Sequence, residues 1–304
     1  MNASIPLATH EIVGRRAGLH LVITGGVHGD EFEPMAAVRR LMSEIEADRL
    51  QGRVTLVPVV NEPAFRRGQR TAEDGLDLAR TCPGRPDGSI TEQIAWRLSQ
   101  LIRSADLYID LHTGGTRLTV QPLCGYMLHR DAGVLARQRR MARAFGLPLI
   151  WGTDPGFDGR SLSVARDAGI PAIYAEYLGG GRLDPAGIEA YVRGCLSVMS
   201  EFGLMDDKPV LPARPALVVE DNRPGVGHLQ VNHPSPCDGF FEPAVQLGQN
   251  VRAEEVLGWV TDVAGQRIEV VHARYGGMVI VLHTFPRIEA GVSAAVVMET
   301  QGAA

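Results

Sequence analysis

The chain has 304 residues, of which 45% are hydrophobic and 21% charged, and this composition is typical of a globular protein with one large and one smaller domain. With a net charge of −5 and scattered basic residues, it has no basic block that would follow a phosphate backbone, so we expect no nucleic-acid partner. The first eight residues lack the features of a secretory signal, and no segment offers about 18 uninterrupted apolar residues for a membrane span. We therefore expect a cytoplasmic enzyme without a membrane partner.

Short β-branched runs alternate with stretches of helical periodicity between Leu19 and Ile173, which predicts an α/β sheet flanked by helices. The predicted strands are Leu19–Thr24, Val54–Val60, Leu107–Leu111, Leu123–Leu128 and Ala172–Glu176. The predicted helices, with apolar residues three and four positions apart, are Glu33–Ile45, Thr91–Ile102, Val134–Phe145, Ser161–Ala168 and Pro185–Phe202.

The composition of the sequence changes between Met205 and Pro215, where acidic residues, Lys208 and several prolines form a short polar join. Beyond it, brief apolar runs bounded by glycine, asparagine or proline recur about every ten residues, which is typical of a small all-β domain. The sequence therefore predicts a catalytic domain over residues 1–205 and a C-terminal β domain over residues 206–304.

Two predicted strands end in glycine-containing loops that carry potential metal ligands. The first strand runs into Gly25-Gly26-Val27-His28-Gly29-Asp30-Glu31, and the strand Leu107–Leu111 is followed by His112. The carboxyl ends of parallel strands are where α/β sheets collect functional groups, and one helical turn brings positions three residues apart to one side. We therefore expect His28, Glu31 and His112 to converge.

Two histidines and one glutamate form the ligand set of a catalytic zinc, with a fourth position open for water. A histidine followed three residues later by glutamate is a weak pattern alone, and the strand-end setting of both histidines strengthens it. Asp110, on the same strand face as His112, is a candidate hydrogen-bond partner for a ligand imidazole. Cys82, Cys124, Cys195 and Cys237 form no CxxC pair and indicate reduced structural thiols instead of a thiolate zinc site.

The strand Ala172–Glu176 brings a carboxylate to the same sheet edge, just before Gly179-Gly180-Gly181. Zinc lowers the pKa of a water that it binds, and a nearby carboxylate can take the proton and pass it to a departing amine. Glu176 suits this role, and a solvated glutamate at the end of a strand is the alternative.

A long stretch from Asn61 to Arg80, predicted to be irregular, carries several arginines. Loops of this length are usually functional, and guanidinium groups can bind a carboxylate or polarise a carbonyl. Arg66 and Arg67 could equally be solvated surface charges.

At these residues the chain resembles the succinylglutamate desuccinylase/aspartoacylase family, relatives of the zinc carboxypeptidases. The resemblance covers about the first 200 residues. It rests on Gly-Gly-Val-His-Gly-Asp-Glu at 25–31, the stretch from Asn61 to Arg80, Asp-Leu-His-Thr-Gly at 110–114, and Glu176 after its strand. It implies a carboxypeptidase-like mixed sheet, one Zn²⁺ per chain on His28, Glu31 and His112, Glu176 as general acid/base, and Arg70 as a catalytic or substrate-binding contact. It also makes a homo-oligomer possible.

The chain departs from the family pattern at Ala79. Family members commonly carry Asp-Leu-Asn-Arg where this chain has Asp77-Leu78-Ala79-Arg80, so an amide that helps to hold a substrate carboxylate is missing. Arg80 is left as an anion contact.

The C-terminal stretch from Ser235 to Gly258 resembles the biotinyl/lipoyl-type barrel hairpin of many bacterial members. The only lysine, Lys208, lies in the join, which excludes a lipoylated or biotinylated arm. This domain is predicted to shape the entrance of the pocket or to mediate assembly.

The leading hypothesis is a zinc-dependent amidohydrolase that deacylates a small N-acyl amino acid or a related amide. The alternatives are a zinc carboxypeptidase acting on short peptides and an inactive relative that binds a metal or ligand. The acyl group and the amine stay open, and so does the metal used in the cell, because two imidazoles and a carboxylate also accept other divalent ions.

Overall fold

The computed structural model describes residues 7–206, 216–229, 232–266 and 268–299. Most of the predicted join, including Lys208, lies outside the described residues. The strands within these ranges are β1 (His10–Val13), β2 (Arg16–Thr24), β3 (Gln51–Val57), β4 (Leu107–His112), β5 (Leu118–Met127), β6 (Leu149–Thr153), β7 (Ala172–Gly179), β8 (Leu217–Glu220), β9 (His233–Pro234), β10 (Gly239–Pro243), β11 (Asn250–Val251), β12 (Val256–Thr261), β13 (Ile268–His272), β14 (Gly277–His283), β15 (Arg287–Ile288) and β16 (Ser293–Met298). The helices are α1 (Phe32–Glu44), α2 (Glu62–Arg67), α3 (Ile90–Arg103), α4 (Ala132–Phe145), α5 (Ser161–Asp167) and α6 (Pro185–Glu201), with 3-10 turns at Ala47–Arg49 and Leu78–Arg80.

The chain divides into two compact units. The first comprises Met1–Thr113, Pro122–Glu176 and Arg182–Val226, and the second comprises Gly114–Gln121, Tyr177–Gly181 and Gly227–Ala304. The second unit therefore includes two short segments, one that comes after strand β4 and one that begins in the middle of strand β7. The boundary after residue 205 stays a prediction.

The first unit is built on a mixed sheet in the order β1-β3-β2-β4-β7-β5-β6-β8. Strand β1 is antiparallel to β3, whereas β2 is parallel to both β3 and β4, and β4 is parallel to β7. The central strands are almost completely buried, as expected for a parallel sheet covered on both faces. The predicted α/β class with a mixed sheet and flanking helices is confirmed.

Helix α3 shows how the sequence specifies these helices. The hydroxyl of Ser89 accepts a hydrogen bond from the backbone N–H of Glu92, and the Glu92 carboxylate accepts one from the backbone N–H of Ser89. This reciprocal pair is a capping box, which satisfies donors that the first helical turn leaves free. Buried Ile94, Leu98 and Ile102 follow at a spacing of four residues and place one face of the helix in the core.

The structure adds elements that sequence patterns had not predicted. Strand β1 is a short edge strand, and β6 is interrupted by Gly152, so neither has a clear hydrophobic period. Helix α2 lies inside the stretch that was expected to be irregular. It is only six residues long, and the Asn61 side chain caps it by accepting a hydrogen bond from the backbone N–H of Ala64.

The described residues of the second unit form strands and the loops between them. Strand β14 pairs with the beginning of β5, with β16 and with β11, while a four-stranded sheet follows the order β13-β12-β10-β15. Its apolar core includes Phe241, Leu257, Val260 and Val279. The predicted C-terminal antiparallel β domain is therefore present. None of the described helices is long and apolar enough to cross a membrane.

Candidate metal centre

Strand register brings the predicted site residues of β4 and β7 side by side. Thr24 of β2 pairs with Asp110 of β4, and His112 at the end of β4 pairs with Glu176 of β7. Directly paired residues on neighbouring strands point to the same face of a sheet. Glu176 and His112 therefore lie next to each other at the carboxyl edge of the sheet, where the loop after β2 also begins.

The loop after β2 packs tightly against helix α2. The backbone N–H of Asn61 donates to the Gly26 carbonyl at 2.9 Å, and Gly26 has a φ of 65°, a conformation that glycine adopts without strain. A side chain at Gly29 would place its Cβ 2.1 Å from the backbone of Ala64. These glycines let the backbone fold closely around His28, so the sequence of this loop is tied to helix α2.

The three predicted metal ligands converge on one point. One ligand atom from each of His28, Glu31 and His112 lies within 4.8 Å of the other two. The Glu31 carboxylate lies between the rings, with Oε1 2.7 Å from His28 Nδ1 and Oε2 3.0 Å from His112 Nδ1. Both histidines therefore direct Nδ1 to the same centre. His28 and Glu31 are almost fully buried, and His112 is partly exposed.

The outer nitrogen of each histidine meets a second carboxylate. His28 Nε2 lies 3.1 Å from Asp77 Oδ1, and His112 Nε2 lies 3.1 Å from Asp110 Oδ2. A carboxylate on the far ring nitrogen fixes the tautomer and the orientation of a metal-binding imidazole. The contact of Asp110 agrees with the partner predicted for His112, whereas the contact of Asp77 was not predicted.

The charges of this cluster reinforce one another. Burial raises the pKa of the Glu31 carboxyl, but the charges of His28 and His112 outweigh burial and hold this pKa well below its usual range. Burial likewise lowers the pKa of His112, but the charges of Asp110 and Glu31 outweigh it and raise the pKa well above its usual value. The carboxylates and imidazoles of this cluster therefore stabilise one another.

Glu176 is a buried carboxyl group with an unused oxygen. Its side chain is 7% exposed, and Oε2 has no hydrogen-bond partner among the described residues. Burial raises its pKa to about 7. A buried polar atom without a partner is rare and is frequent at functional sites, where a ligand or water completes its hydrogen bonds.

The arginines of the segment from Asn61 to Arg80 fall into two groups. Arg66 and Arg67 are exposed and bond to Glu62 and Gln69, so they are surface residues. Arg70 donates to Asp77 Oδ2 at 3.0 Å from one terminal nitrogen, and its other terminal nitrogen lies 3.8 Å from Glu31 Oε1. Arg70 is therefore the arginine that borders the candidate metal centre.

Arg80 and Arg160 form a second pair of positive charges beside Asp77. Burial, and then the neighbouring charge of Arg80, lower the pKa of the Arg160 guanidinium to about 10. The Nε atom of Arg160 is buried without a hydrogen-bond partner in the described part of the chain, and Arg80 donates to the carbonyl of Ala79. A guanidinium donor without a partner in the described part of the chain, near the charge of a second guanidinium, is a candidate contact for an anion.

Sequence reasoning missed three residues around the centre, namely Asp77, Arg160 and Tyr174. Asp77 lies in the stretch from Asn61 to Arg80 that carries the family resemblance, and its position seven residues after Arg70 was the available signal. Arg160 precedes helix α5 as one of many charged residues, and no pattern marked it. Tyr174 lies two residues before Glu176 in β7 and therefore points to the same sheet face, and its ring lies over Gly125, where a Cβ would come within 2.2 Å of it.

Fold and site together define an α/β protein with a candidate mononuclear metal centre of two histidines and one carboxylate at the edge of its sheet. Residues 17–202 match the model of the succinylglutamate desuccinylase/aspartoacylase catalytic domain. The chain therefore belongs to the succinylglutamate desuccinylase/aspartoacylase family, which confirms the resemblance seen in its motifs.

Individual relatives agree with this assignment. The chain is 33% identical over 270 residues to the N-alpha-acetyl-L-2,4-diaminobutyric acid deacetylase of Halomonas elongata, a match that covers 86% of this chain and 76% of the relative. The product-bound structure of the ectoine utilization protein EutE (DoeB) from Ruegeria pomeroyi is similar, with 29% identity, a TM-score of 0.86 and coverage of 96% of this chain and 88% of that one. A succinylglutamate desuccinylase/aspartoacylase from Rhodobacter sphaeroides is 28% identical, with a TM-score of 0.85 and the same coverage.

Proposed function

We propose that this protein is a zinc-dependent deacylase that hydrolyses the amide bond of a small N-acyl amino acid, with one zinc per chain on His28, Glu31 and His112. The observation that carries the proposal is the convergence of these three ligands beside the buried carboxyl of Glu176. The relative from Halomonas elongata, named as a deacetylase of an acetylated diamino acid, supports the substrate class.

The donor set fits a catalytic zinc. Two imidazole nitrogens and one carboxylate are the protein ligands of such sites, and the carboxylates of Asp77 and Asp110 on the outer ring nitrogens fix the tautomer and the orientation of the two imidazoles. When bound, zinc supplies Lewis acidity to an amide carbonyl and lowers the pKa of water.

Glu176 is proposed as the general acid/base. With a pKa of about 7, its carboxyl can hold or release a proton near neutral pH. In hydrolysis, Glu176 takes a proton from the attacking water as the new C–O bond forms. It then gives that proton to the amine nitrogen as the C–N bond breaks, so the products are a carboxylic acid and a free amine.

The arginines are proposed to bind and orient the substrate. Arg70 is held by two hydrogen bonds to Asp77 and faces the cluster, so we assign it to the amide carbonyl oxygen, whose negative charge grows during attack. We assign Arg80 and Arg160 to the carboxylate of the amino acid. The Nε atom of Arg160, which has no partner among the described residues, is proposed to supply a contact in place of the amide that family members commonly carry at position 79.

We propose that residues 1–205 carry the catalytic function and that residues 206–304 form a β domain of the biotinyl/lipoyl type without the modified lysine. The absence of a modified lysine is supported by the sequence, because the only lysine of the chain is Lys208, in the polar join that precedes the β-strands of this domain. We further propose that the protein is cytoplasmic and acts on a small molecule.

Substrate assays and metal analysis test the proposal together. Purified protein should contain about one zinc per chain, and replacing either His28 or His112 with alanine should remove it. Acetyl-, succinyl- and formyl-amino acids should be hydrolysed faster than dipeptides, with acetylated diamino acids among the best substrates. Faster hydrolysis of dipeptides would identify a peptidase, and unchanged zinc content in both alanine variants would refute the site.

The role of Glu176 has a separate test. Glu176→Gln should retain zinc but lower kcat by about 10²- to 10⁴-fold, because the amide cannot transfer a proton. Glu62→Gln, which changes an exposed glutamate of helix α2, is the matched control and should leave kcat unchanged. Full turnover by Glu176→Gln would refute the acid/base role.

A further inference from the structure

The outer face of the four-stranded sheet in the second unit carries exposed apolar side chains. Cross-strand pairs place Phe240 opposite Thr261 and Thr261 opposite Ile268, and in the next row Trp259 lies opposite Val270. Directly paired residues point to the same side of a sheet. Phe240, Trp259, Ile268 and Val270 therefore form one continuous surface, which we call the β10–β12–β13 face.

The opposite side of this sheet is already occupied. Phe241, Val260 and Val271, which alternate with the residues of the β10–β12–β13 face, are each 5% exposed or less and belong to the core of the unit. An antiparallel sheet with one face in the core normally presents polar residues on the other. The apolar outer face therefore differs from the usual pattern and indicates an interaction site.

The exposure of this surface is large for a soluble protein. Of the twelve large hydrophobic side chains that are exposed among the described residues, six lie in this unit. They are Phe240 (45% exposed), Trp259 (39%), Ile268 (59%) and Val270 (39%) on the face itself, Val263 (91%) in the turn that joins β12 to β13, and Phe285 (46%) two residues before Arg287. The four side chains on the face itself offer roughly 400 Å² of exposed surface, within the size range of the largest apolar patches on monomeric proteins, which are often functional.

The polar groups on this face have balanced charges. Among the described residues paired on this face, Glu242, opposite Trp259, is acidic and Arg287, opposite Phe240, is basic. A polar rim of one acid and one base around an aromatic centre does not match a strongly charged partner such as a nucleic acid or an acidic peptide. It suits an apolar partner of equally balanced charge.

We propose that the β10–β12–β13 face binds the same face of a second copy of this chain. A two-fold dimer joins identical surfaces, so the surface must be complementary to itself, and an apolar face with balanced charge meets this condition. Two such faces, with their rims, would bury about 1,200 Å² or more, which reaches the lower range of specific interfaces. Two sheets packed in this way form a sandwich in which Trp259 is the central anchor.

Sedimentation velocity of the full chain, over protein concentrations from about 0.1 to 100 μM, tests the proposal. The wild-type protein should form a dimer. Trp259→Glu and Ile268→Glu should each raise the dimer dissociation constant about a hundredfold or more, because each places a charge in the centre of an apolar contact. Far-UV circular dichroism shows whether each variant is folded, and the two substitutions on different strands provide independent tests.

Val13→Glu is the matched control. Val13 is as exposed as Ile268, at 59%, but lies on the edge strand β1 of the first unit, so its replacement should leave the dimer intact. The proposal is overturned if the wild-type protein is monomeric throughout, if folded Trp259→Glu and Ile268→Glu both dimerise normally, or if Val13→Glu dissociates the dimer equally. A monomer that sediments with phosphatidylglycerol vesicles would assign the face to a lipid surface and would also overturn it.

Discussion

Asp77 links a metal ligand to a substrate-binding arginine, and its replacement by asparagine gives a sharp prediction. Its Oδ1 atom lies 3.1 Å from His28 Nε2 and accepts a hydrogen bond from the backbone N–H of Ala79 at 2.9 Å. Its Oδ2 atom accepts two hydrogen bonds from Arg70, at 3.0 and 3.2 Å. Burial raises the pKa of Asp77, but its hydrogen bond with His28 and the charge of Arg70 outweigh burial and lower this pKa.

Asp77→Asn keeps the shape of the side chain and removes its charge. Whichever way the amide is oriented, its NH₂ group faces a donor, either on Arg70 or on His28. The loss of a charge-assisted hydrogen bond to a metal-binding histidine typically weakens metal affinity 10- to 100-fold, or about 1.4 to 2.8 kcal/mol. We expect zinc affinity to fall within this range, and kcat/KM to fall further because Arg70 loses its anchor.

Zinc affinity is best measured by competition with a chromophoric chelator at fixed pH, beside kcat/KM for an acetylated amino acid. Asp74→Asn is the matched control, since Asp74 lies in the same segment but accepts hydrogen bonds from Ser89 and Thr91 at the start of helix α3. It should lower stability and leave zinc affinity unchanged. An Asp77→Asn variant with wild-type zinc affinity would show that His28 is not oriented by Asp77, and equal losses in both variants would point to a general effect on folding.

Two further predictions concern packing and pH. Gly125→Ala would place a methyl group 2.2 Å from the ring of Tyr174, so urea unfolding should show a loss of about 1–3 kcal/mol in the free energy of unfolding. Gly133→Ala, whose nearest neighbour is a surface carboxylate, is the control and should lose little stability. Equal stabilities of the two variants would contradict the packing argument. Burial, and then the charge of Arg274, lower the pKa of His233 to about 4, so its folded form is neutral while the unfolded chain takes up a proton near pH 6.5. This difference in pKa corresponds to about 3 kcal/mol in the free energy of unfolding, which should be present above pH 6.5 and be lost as the pH falls to about 4. His233→Gln should flatten this part of the plot of unfolding free energy against pH. A pH dependence that the substitution leaves unchanged would refute the assignment.

The sequence by itself determined the elements that have a strong period and the residues that lie close along the chain. Helices such as α3 and α6 were predicted within two residues at each end, because buried positions recur at helical spacing and caps mark their starts. His28 and Glu31 could be paired because one loop carries both, and the glycines around them indicated a strand end. Strand β6 was missed because Gly152 interrupts its apolar run, and helix α2 was missed because six residues span less than two helical turns.

Only the tertiary structure decided which distant residues meet. The register of β4 against β7 sets Glu176 opposite His112, and a shift of one residue would have turned Glu176 to the other face of the sheet. Asp77 reaches His28 across 49 positions of sequence, and Arg160 comes to lie beside Arg80, because separate loops fold over the same sheet edge. Hydrophobic patterns record which residues are buried, whereas a hydrogen bond or ion pair between distant side chains leaves no periodic trace in the chain, so this part of the site appears only when the strands are aligned.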